Sequence, residues 1–401
     1  MAFEKLSIVI PAYNEEDAIE SIITRCLDAS TEIISKTPVN DVEIIVVSDG
    51  SVDKTVERAK VFEPSIKLIA YVPNRGYGAA LKTGFHEAKG DLVSFLDADG
   101  TCDPLYFIDM INMMEAENAD IVIGSRMGEN SKMPRIRRLG NTVFVNLIKF
   151  LSKQELTDSA SGMRVIKKNR LNEIYPLPDG LHFTPAMSVK ALFDSNLKIS
   201  EVDMTYEERV GESKLSVFKD GFRFLRVIIE AALGYNSFRI FAINAIFLFL
   251  ISLFYLIEPL IHFIKNQALE EWMIYRMITI STLSTSGLIL LIFGRIIQTL
   301  SDIANVQYRT SESIIRKSTS FLFIRYGLLL SVMFALLGIV IMWDGILQYL
   351  ETGQVFIHWS RVLLGAQSIT LSIVSFASGA FAIGLRYLKD KLMFTQKTSS
   401  V

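Results

Sequence analysis

The sequence predicts an α/β domain with a mostly parallel sheet, followed by an all-helical transmembrane region. In the first half of the chain, short apolar runs alternate with helical patterns, which is typical of parallel strands joined by right-handed crossovers. Several of these runs end abruptly in polar residues, as strands do where a ligand site lies at their carboxyl ends. Beyond about Gly234, long apolar segments replace this charged, soluble pattern.

Six apolar runs are predicted to be strands, at residues 6–10, 42–47, 66–71, 92–96, 121–123 and 198–206. Helical patterns occur between them, at about residues 53–62, 104–117, 138–153 and 184–195. Parallel strands place their carboxyl ends at one edge of the sheet, so the loops that leave this edge should converge on one ligand site. These loops begin at Pro11, Asp49, Asn74 and Asp97.

Asp97 and Asp99 carry the strongest chemical signal. They lie two residues apart, directly after the buried run 92–96. Two like charges this close are unfavourable unless a cation shares them, and hard oxygen ligands suit Mg²⁺ or Mn²⁺. A polar turn without a ligand is the alternative for an Asp-x-Asp sequence taken alone, so the other motifs must decide between the two.

The composition gives no sign of a nucleic-acid partner, because the formal net charge of the 401 residues is only −2. Half of the residues are hydrophobic, and they are concentrated in the second half of the chain. Cys26 and Cys102 provide no disulfide framework and fit a reducing compartment. Lys5 leads directly into a predicted strand, so no signal peptide is expected.

Four segments exceed the length needed to cross the hydrocarbon core of a bilayer. They are residues 239–262, 274–299, 321–347 and 362–387. The connection between the second and third segments and the C-terminal tail are the more basic ones. The positive-inside rule therefore predicts a multi-pass protein of the cell membrane, with both termini and the first half of the chain in the cytoplasm. A re-entrant hairpin for one pair of segments is the alternative.

Residues 214–235 alternate basic and bulky apolar side chains, a pattern that favours a helix lying in the membrane interface. A helix packed beneath the α/β domain is the alternative. The predicted domains are a cytoplasmic α/β domain at 1–213, an interfacial region at 214–237, a transmembrane domain at 238–390 and a cytoplasmic tail at 391–401.

Five motifs occur in a fixed order in the first half of the chain, at residues 8–15 (IVIPAYNE), 47–53 (VSDGSVD), 74–80 (NRGYGAA), 97–99 (DAD) and 124–126 (GSR). Together they resemble the inverting GT-A glycosyltransferases of the dolichol-phosphate mannose synthase type. Motifs at 158–164 and 209–214 extend the resemblance to about residues 5–235. The form Asp-Ala-Asp-Gly-Thr resembles archaeal and glucosyl-type enzymes more, because the mannose enzyme has Gln at the position of Thr101.

The resemblance implies metal-dependent, inverting transfer of one hexose to dolichyl or polyprenyl phosphate at the cytoplasmic face of the membrane, supplying lipid-linked sugar for glycosylation. The donor would be GDP-mannose, UDP-glucose or a UDP-N-acetylhexosamine. Expected partners are this donor, the lipid phosphate and the bilayer. Whether the protein forms a homo-oligomer is left open by the sequence. A processive polysaccharide synthase is the alternative, although the sequence lacks the Gln-x-x-Arg-Trp motif of those enzymes.

The resemblance also assigns roles to individual residues. The nucleotide sugar would be held by Pro11, Ala12, Tyr13, Glu15, Val47, Asp49, Asp97 and Ala98. The metal ion would be held by Asp97, Asp99 and Thr101. The lipid phosphate would be held by Arg126, Arg138, Arg209 and Lys214, with Arg135 and Arg137 close enough to Arg138 to leave the choice among the three open. Asp99, Arg209 and Asp158 would be the catalytic residues, Asp158 as a base or an orienting group.

Overall fold

The computed structural model describes residues 3–128, 131–152, 155–193, 196–207, 217–305 and 325–399. Two compact units make up the chain, Met1–Ala232 and Leu233–Val401. The first contains a mostly parallel sheet, and the second contains apolar helices of membrane-spanning length, so the predicted fold class is confirmed. The finer domain boundaries stay a prediction.

One sheet forms the centre of the first unit. Its strands are β1 Lys5–Ala12, β2 Asp41–Asp49, β3 Lys67–Tyr71, β4 Leu92–Phe95, β5 Ile121–Ser125, β6 Arg164–Lys167 and β7 Ile199–Asp203. They lie in the order β3-β2-β1-β4-β6-β5-β7. The pairs that β6 makes with β4 and β5 are antiparallel, and the other pairs are parallel.

One set of helices belongs to the first unit together with the sheet, and another set forms the second unit. Those of the first unit are α1 Ile19–Lys36, α2 Thr55–Lys60, α3 Tyr77–Glu87, α4 Tyr106–Glu117, α5 Arg135–Ser152, α6 Leu171–Ile174, α7 Phe183–Phe193 and all but the last three residues of α8 Val217–Tyr235. Those of the second are α9 Ser237–Asn266, α10 Ile274–Asn305, α11 Gly327–Thr352 and α12 Trp359–Ser399.

The central strands are apolar because both faces of the sheet are covered. In β1, the side chains of Leu6, Ile8 and Val9 are completely buried. Leu6 and Ile8 lie on one face of the sheet and Val9 lies on the other. In β4, Leu92 and Phe95 are likewise completely buried. Strands that are buried on both faces need such continuous runs in place of alternation. The sheet thereby gives the loops at its carboxyl edge a well-packed base.

Strand β6 is the strand of the sheet that the apolar pattern does not predict. It pairs antiparallel with β4, so that Arg164 lies opposite Phe95 and Lys167 lies opposite Leu92. Because β6 runs against its neighbours, its first residue and the loop before it lie beside the carboxyl end of β4. This reversal brings residues 156–163 to the edge of the sheet where the Asp97 loop begins.

The four helices α9 to α12 are long and apolar enough to cross a membrane. Helices α9 and α10 pack against each other, and so do α11 and α12. Where α11 packs against α12, a Cβ on Gly327 would lie 2.6 Å from the backbone nitrogen of Gly379, and glycine permits such close packing of helices in lipid. The predicted third span begins four residues before the described part of the chain resumes at 325. The sidedness of the termini stays a prediction.

Candidate active site

A cavity of about 520 Å³ lies at the carboxyl edge of the sheet. The carboxyl ends of β1 and β2, the loops after β1, β3 and β4 and the start of α3 contribute mostly polar lining: Pro11, Ala12, Tyr13, Glu15, Asp49, Asn74, Gly76, Tyr77, Asp97, Ala98 and Asp99. The remainder comes largely from α5, α8 and the loops before α5, β6 and α7, and it mixes arginines with apolar side chains: Arg126, Met133, Ile136, Arg137, Phe144, Leu181, Arg223 and Phe224.

Asp49 connects two of the converging loops. Its carboxylate is buried and accepts hydrogen bonds from the backbone amides of Arg75 and Gly76, at 2.7 and 2.8 Å. The Asn74 side chain donates to the Asp49 carbonyl at 2.8 Å. Gly50 has φ +71°, and a Cβ there would lie 2.5 Å from the Asn74 nitrogen, so only glycine fits this crossing. Asp49 lines the cavity. Through these hydrogen bonds it also fixes the loop that leads into α3.

The loop after β1 is braced by the loop after β2. Asn14, at φ 51°, accepts a hydrogen bond from the Val52 amide at 2.9 Å through its side chain. Asp53 accepts from Thr55 and, at 3.1 Å, from the Glu16 amide. Burial raises the pKa of Asp53, but these hydrogen bonds outweigh it and keep the pKa below its ordinary value. Asp53 thus binds the first residue of α2 and positions the loop that carries Tyr13.

Asp97 and Asp99 both line the cavity, just beyond β4. The hydroxyl of Tyr77 donates to Asp97 Oδ1 at 2.8 Å. Burial and the Asp97 carboxylate raise the pKa of Tyr77 well above its ordinary value, so the hydroxyl keeps its proton. Asp99 Oδ1 accepts from the amide and the hydroxyl of Thr101, at 3.2 and 2.7 Å. Thr101 is 1% exposed and does not line the cavity.

The donor set fits a divalent cation that is shared with a substrate. Asp97 and Asp99 supply carboxylate oxygens, which Mg²⁺ and Mn²⁺ prefer. Within the described residues, no group of three or more His, Cys, Asp or Glu side chains could hold an ion without help. Mg²⁺ is commonly bound by one or two carboxylates together with substrate phosphates, and this cavity offers that arrangement.

Arg126 and Asp158 form a buried ion pair. Arg126 Nε lies 2.6 Å from Asp158 Oδ2, and Arg126 Nη2 lies 2.8 Å from Oδ1. Burial raises the pKa of Asp158, but the guanidinium and two backbone amides outweigh it and hold the pKa below its ordinary value. Asp158 is fully buried and is not part of the cavity lining. This geometry makes Asp158 a support for Arg126 and gives no indication of a base.

The three arginines at the start of α5 have different surroundings. Arg137 lines the cavity. Arg138 donates to the carbonyls of Met127 and Gly128, the second at 2.9 Å, and does not line the cavity. Arg135 is exposed. Arg137 is therefore the member of this group that reaches the site, whereas Arg138 fixes the loop after β5.

Helices α5 and α8 meet through aromatic side chains beside these arginines. The rings of Phe144 and Phe224 lie 5.8 Å apart in a T-shaped contact. Arg223 lines the cavity and forms an ion pair with Asp220 at 2.8 Å. The guanidinium of Arg126 lies 5.6 Å from the centre of the Tyr206 ring. This part of the cavity therefore combines positive charge with apolar surface.

The structure brings together most of the residues that the resemblance assigns. Nine of them line the cavity: Pro11, Ala12, Tyr13, Glu15, Asp49, Asp97, Ala98, Asp99 and Arg126. Four described ones do not: Val47, Thr101, Arg138 and Asp158. Arg209 and Lys214 lie outside the described residues. Some lining residues had no role assigned from the sequence. Tyr77 and Gly162 lie within the motifs at 74–80 and 158–164, whereas the only signal of Tyr206 and Arg223 was proximity to the motif at 209–214. All the individual roles stay predictions.

Comparison with known proteins gives the same answer as the motifs. The sequence profile described as glycosyl transferase family 2 matches residues 7–175. The dolichyl-phosphate hexose transferase of Haloferax volcanii is 31% identical over 243 residues, covering 58% of this chain and 95% of that protein. The low-salt glycan biosynthesis hexosyltransferase Agl6 of the same organism is 31% identical over 242 residues, covering 57% of this chain and 54% of that protein. The chain thus spans about half the length of this second relative.

A solved structure aligns with the same part of the chain. The crystal structure of glucosyl-3-phosphoglycerate synthase from Mycobacterium tuberculosis, in complex with Mn²⁺, uridine diphosphate and phosphoglyceric acid, has a TM-score of 0.46 and 21% identity. The alignment covers 57% of this chain and 78% of that one. The profile match and the alignment with the H. volcanii hexose transferase confirm the family resemblance of the motifs. The chain belongs to glycosyl transferase family 2.

Proposed function

We propose that this protein transfers a single hexose from a nucleotide sugar to the phosphate of a dolichyl or polyprenyl lipid. One observation carries the proposal: a single cavity has paired carboxylates in one part and arginines among apolar side chains in another. Carboxylates that share a cation suit a diphosphate, whereas arginines beside aromatic rings suit an anion joined to a hydrocarbon chain. The similarity to the dolichyl-phosphate hexose transferase of H. volcanii supports this proposal.

On the donor side, Asp97 and Asp99 would hold Mg²⁺ or Mn²⁺ together with the diphosphate. When bound, the ion would neutralise the negative charge that gathers on the leaving group. Tyr13, Glu15 and Asp49 line the neighbouring part of the cavity, where the base and ribose would bind. The braced loops around Asn14 and Asp53 keep that part preorganised.

On the acceptor side, the proposed chemistry needs positive charge and no general base. A phosphomonoester has a second pKa near ~6 and is largely an anion at neutral pH. One of its oxygens would attack the anomeric carbon while the bond to the nucleoside diphosphate breaks, which inverts the configuration. Arg126, Arg137 and Arg223 would orient the phosphate. Arg209 and Lys214 are proposed for the same role on the family resemblance.

The apolar lining would contact the first part of the isoprenoid chain. Met133, Ile136 and Phe224 belong to this lining. The four apolar helices of the second unit would keep the enzyme at the bilayer, where such an acceptor resides. We propose that the transfer occurs on the cytoplasmic face, where nucleotide sugars are made, and that α8 lies near the interface. The product would be a lipid-linked sugar for glycosylation.

The test uses membranes that contain the full-length protein. They are incubated with polyprenyl phosphate and, in separate reactions, with labelled GDP-mannose, UDP-glucose and a UDP-N-acetylhexosamine. We expect one donor to label an organic-soluble product that releases one sugar in mild acid, with inverted anomeric configuration. Chelation of divalent ions and the Asp99→Asn variant should both abolish the label. Label in a long polymer would instead identify the processive synthase, and no labelled lipid with any donor would refute the proposal.

A further inference from the structure

Two residues from different parts of the chain enclose the Asp97 carboxylate. The Tyr77 hydroxyl donates to Oδ1 at 2.8 Å. On another side, Gly162 lies directly against the carboxylate, because a Cβ on this glycine would be 2.7 Å from Asp97 Cγ and 2.9 Å from Oδ1. No real side chain could take up that space without moving Asp97. Neither Tyr77 nor Gly162 has a role assigned by the motifs or the relatives.

Tyr77 is held firmly enough to act as a support. It is the first residue of α3 and follows Gly76, whose amide donates to Asp49 at 2.8 Å. The amide of Gly78 donates to the Asp179 carbonyl at 2.7 Å. The residues on both sides of Tyr77 are thereby tied to different parts of the domain, so the hydroxyl has a defined position.

Gly162 is held equally well from the opposite direction. The hydroxyl of Ser161 donates to the Gly124 carbonyl at 2.5 Å, which joins this loop to β5. The completely buried side chain of Arg164 donates to the carbonyls of Ser159 and Ser161, at 3.1 and 3.2 Å. These contacts fix the backbone of the loop, and a fixed backbone at Gly162 sets how far the Asp97 carboxylate can turn.

We propose that Tyr77 and Gly162 are positioning residues that hold the Asp97 carboxylate in the one orientation that lets it share a cation with Asp99 and a nucleoside diphosphate. This inference rests on the proposed function. Outer-sphere partners of metal-binding carboxylates orient the ligand oxygens and so raise the affinity for the ion. The hydrogen bond from Tyr77 defines the rotation of the carboxylate, and Gly162 limits its displacement.

The decisive variant is Tyr77→Phe in the full-length, detergent-solubilised protein. Binding of UDP and of GDP is measured by calorimetry with and without Mn²⁺, and Mn²⁺ binding is followed by electron paramagnetic resonance. We expect the Mn²⁺-dependent affinity for the nucleoside diphosphate to fall about 10- to 100-fold, the usual effect of losing an outer-sphere partner. Binding of the corresponding monophosphate without Mn²⁺ should not change, and kcat should fall while KM for the lipid phosphate stays constant.

Tyr106→Phe is the matched control. It removes a tyrosine hydroxyl that lies 3.1 Å from both the hydroxyl oxygen and the amide nitrogen of Thr205, and Tyr106 does not line the cavity. Its Mn²⁺-dependent binding should equal that of the wild type. Gly162→Ala approaches Asp97 from the other side and should weaken the same binding. Gly234→Ala is the control for it, since a Cβ there meets nothing within 4 Å.

The outcomes separate the inference from the function. Wild-type binding that requires Mn²⁺ together with unchanged binding by Tyr77→Phe would overturn the positioning role and leave the proposed function intact. Wild-type protein that binds neither UDP nor GDP in a Mn²⁺-dependent way would overturn both. If Gly162→Ala does not fold, the comparison of Tyr77→Phe with Tyr106→Phe still decides the matter.

Discussion

Arg126 and Asp158 are joined at two points, with Nε 2.6 Å from Oδ2 and Nη2 2.8 Å from Oδ1. The Asp158 side chain is completely buried, and 14% of the Arg126 side chain is exposed. The pair therefore holds a cavity-lining guanidinium in one place. A planar fork that is already anchored along one edge is well suited to present a fixed positive charge to a phosphate.

Asp158→Ala should destabilise the first unit by about 3–5 kcal/mol, because removing one partner leaves the other charge buried and unpaired. The measurement is hydrogen exchange of the amides in β5 and β7 of the full-length protein. Asp41→Asn is the matched control, since its carboxylate makes a 2.9 Å ion pair with Lys5 but is 61% exposed. Such surface pairs contribute about 0–1 kcal/mol. Equal effects of the two variants would contradict the importance of the buried pair.

The stability of the first unit should depend on pH in the acid range. The pKa values of Asp53 and Asp158 are both held below their ordinary value. A carboxyl group of this kind contributes stability that is complete above its unfolded pKa of ~3.9 and is lost as the pH falls through the lower folded value. Amide protection should therefore decrease below about pH 4. For Asp158→Asn the decrease should be shallower, and an identical acid profile would count against this explanation.

Asp99→Asn should abolish hexose transfer and leave the fold intact. The amide oxygen of Asn can still accept the hydrogen bonds that Thr101 donates to Asp99, at 3.2 and 2.7 Å. What it loses is the negative charge that would bind a cation. The bound cation would stabilise the transition state by several kcal/mol. Asp91→Asn is the control, because Asp91 also accepts from backbone amides, at 3.0 and 3.3 Å, but does not line the cavity. Near-normal transfer by Asp99→Asn in saturating Mg²⁺ would show that the site is misassigned.

Arg137→Ala and Arg138→Ala should have different effects although the residues are adjacent. Arg137 lines the cavity, so its loss should raise KM for the lipid phosphate by roughly 10- to 100-fold, as expected for a charge-assisted contact of about 1.5–3 kcal/mol. Arg138 contacts the carbonyls of Met127 and Gly128, so its loss should lower stability and leave KM unchanged. Acceptor kinetics and melting temperatures of both variants test this. The reverse assignment would place Arg138 at the phosphate.

Much of the fold and part of the site could be predicted from the sequence. Continuous apolar runs reveal buried parallel strands, and the polar residues that end them reveal which edge of the sheet carries the site. Asp97 and Asp99 are recognisable in this way, because a strand end is a local feature. Asp49 is recognisable as well, although its hydrogen bonds to Arg75 and Gly76 depend on the way β2 and β3 pair.

The rest depends on contacts between distant parts of the chain. Strand β6 contains only Val165 and Ile166 between two basic residues, which is too short for a periodic pattern. Tyr77 is the first residue of α3 and Gly162 lies in the loop before β6. Both belong to motifs of the sequence, but nothing in the sequence shows that the fold places both against Asp97. The difference between Arg137 and Arg138 likewise depends on the direction in which α5 presents each side chain.

The reversed strand β6 also determines when the site can be completed during synthesis. Strands β1 to β4 have all left the ribosome once residue 95 has emerged, yet the neighbour of β4 on its other side is made about seventy residues later. Strand β5 is made in between but can join the sheet only through β6. A nascent chain that stops before β6 would therefore have Asp97 and Asp99 on an open sheet edge, without the loop of Gly162 beside them. The loops that carry Asp49, Asp97 and Asp99 are therefore synthesised first, and Asp97 gains its contact with Gly162 only after β6 has joined the sheet.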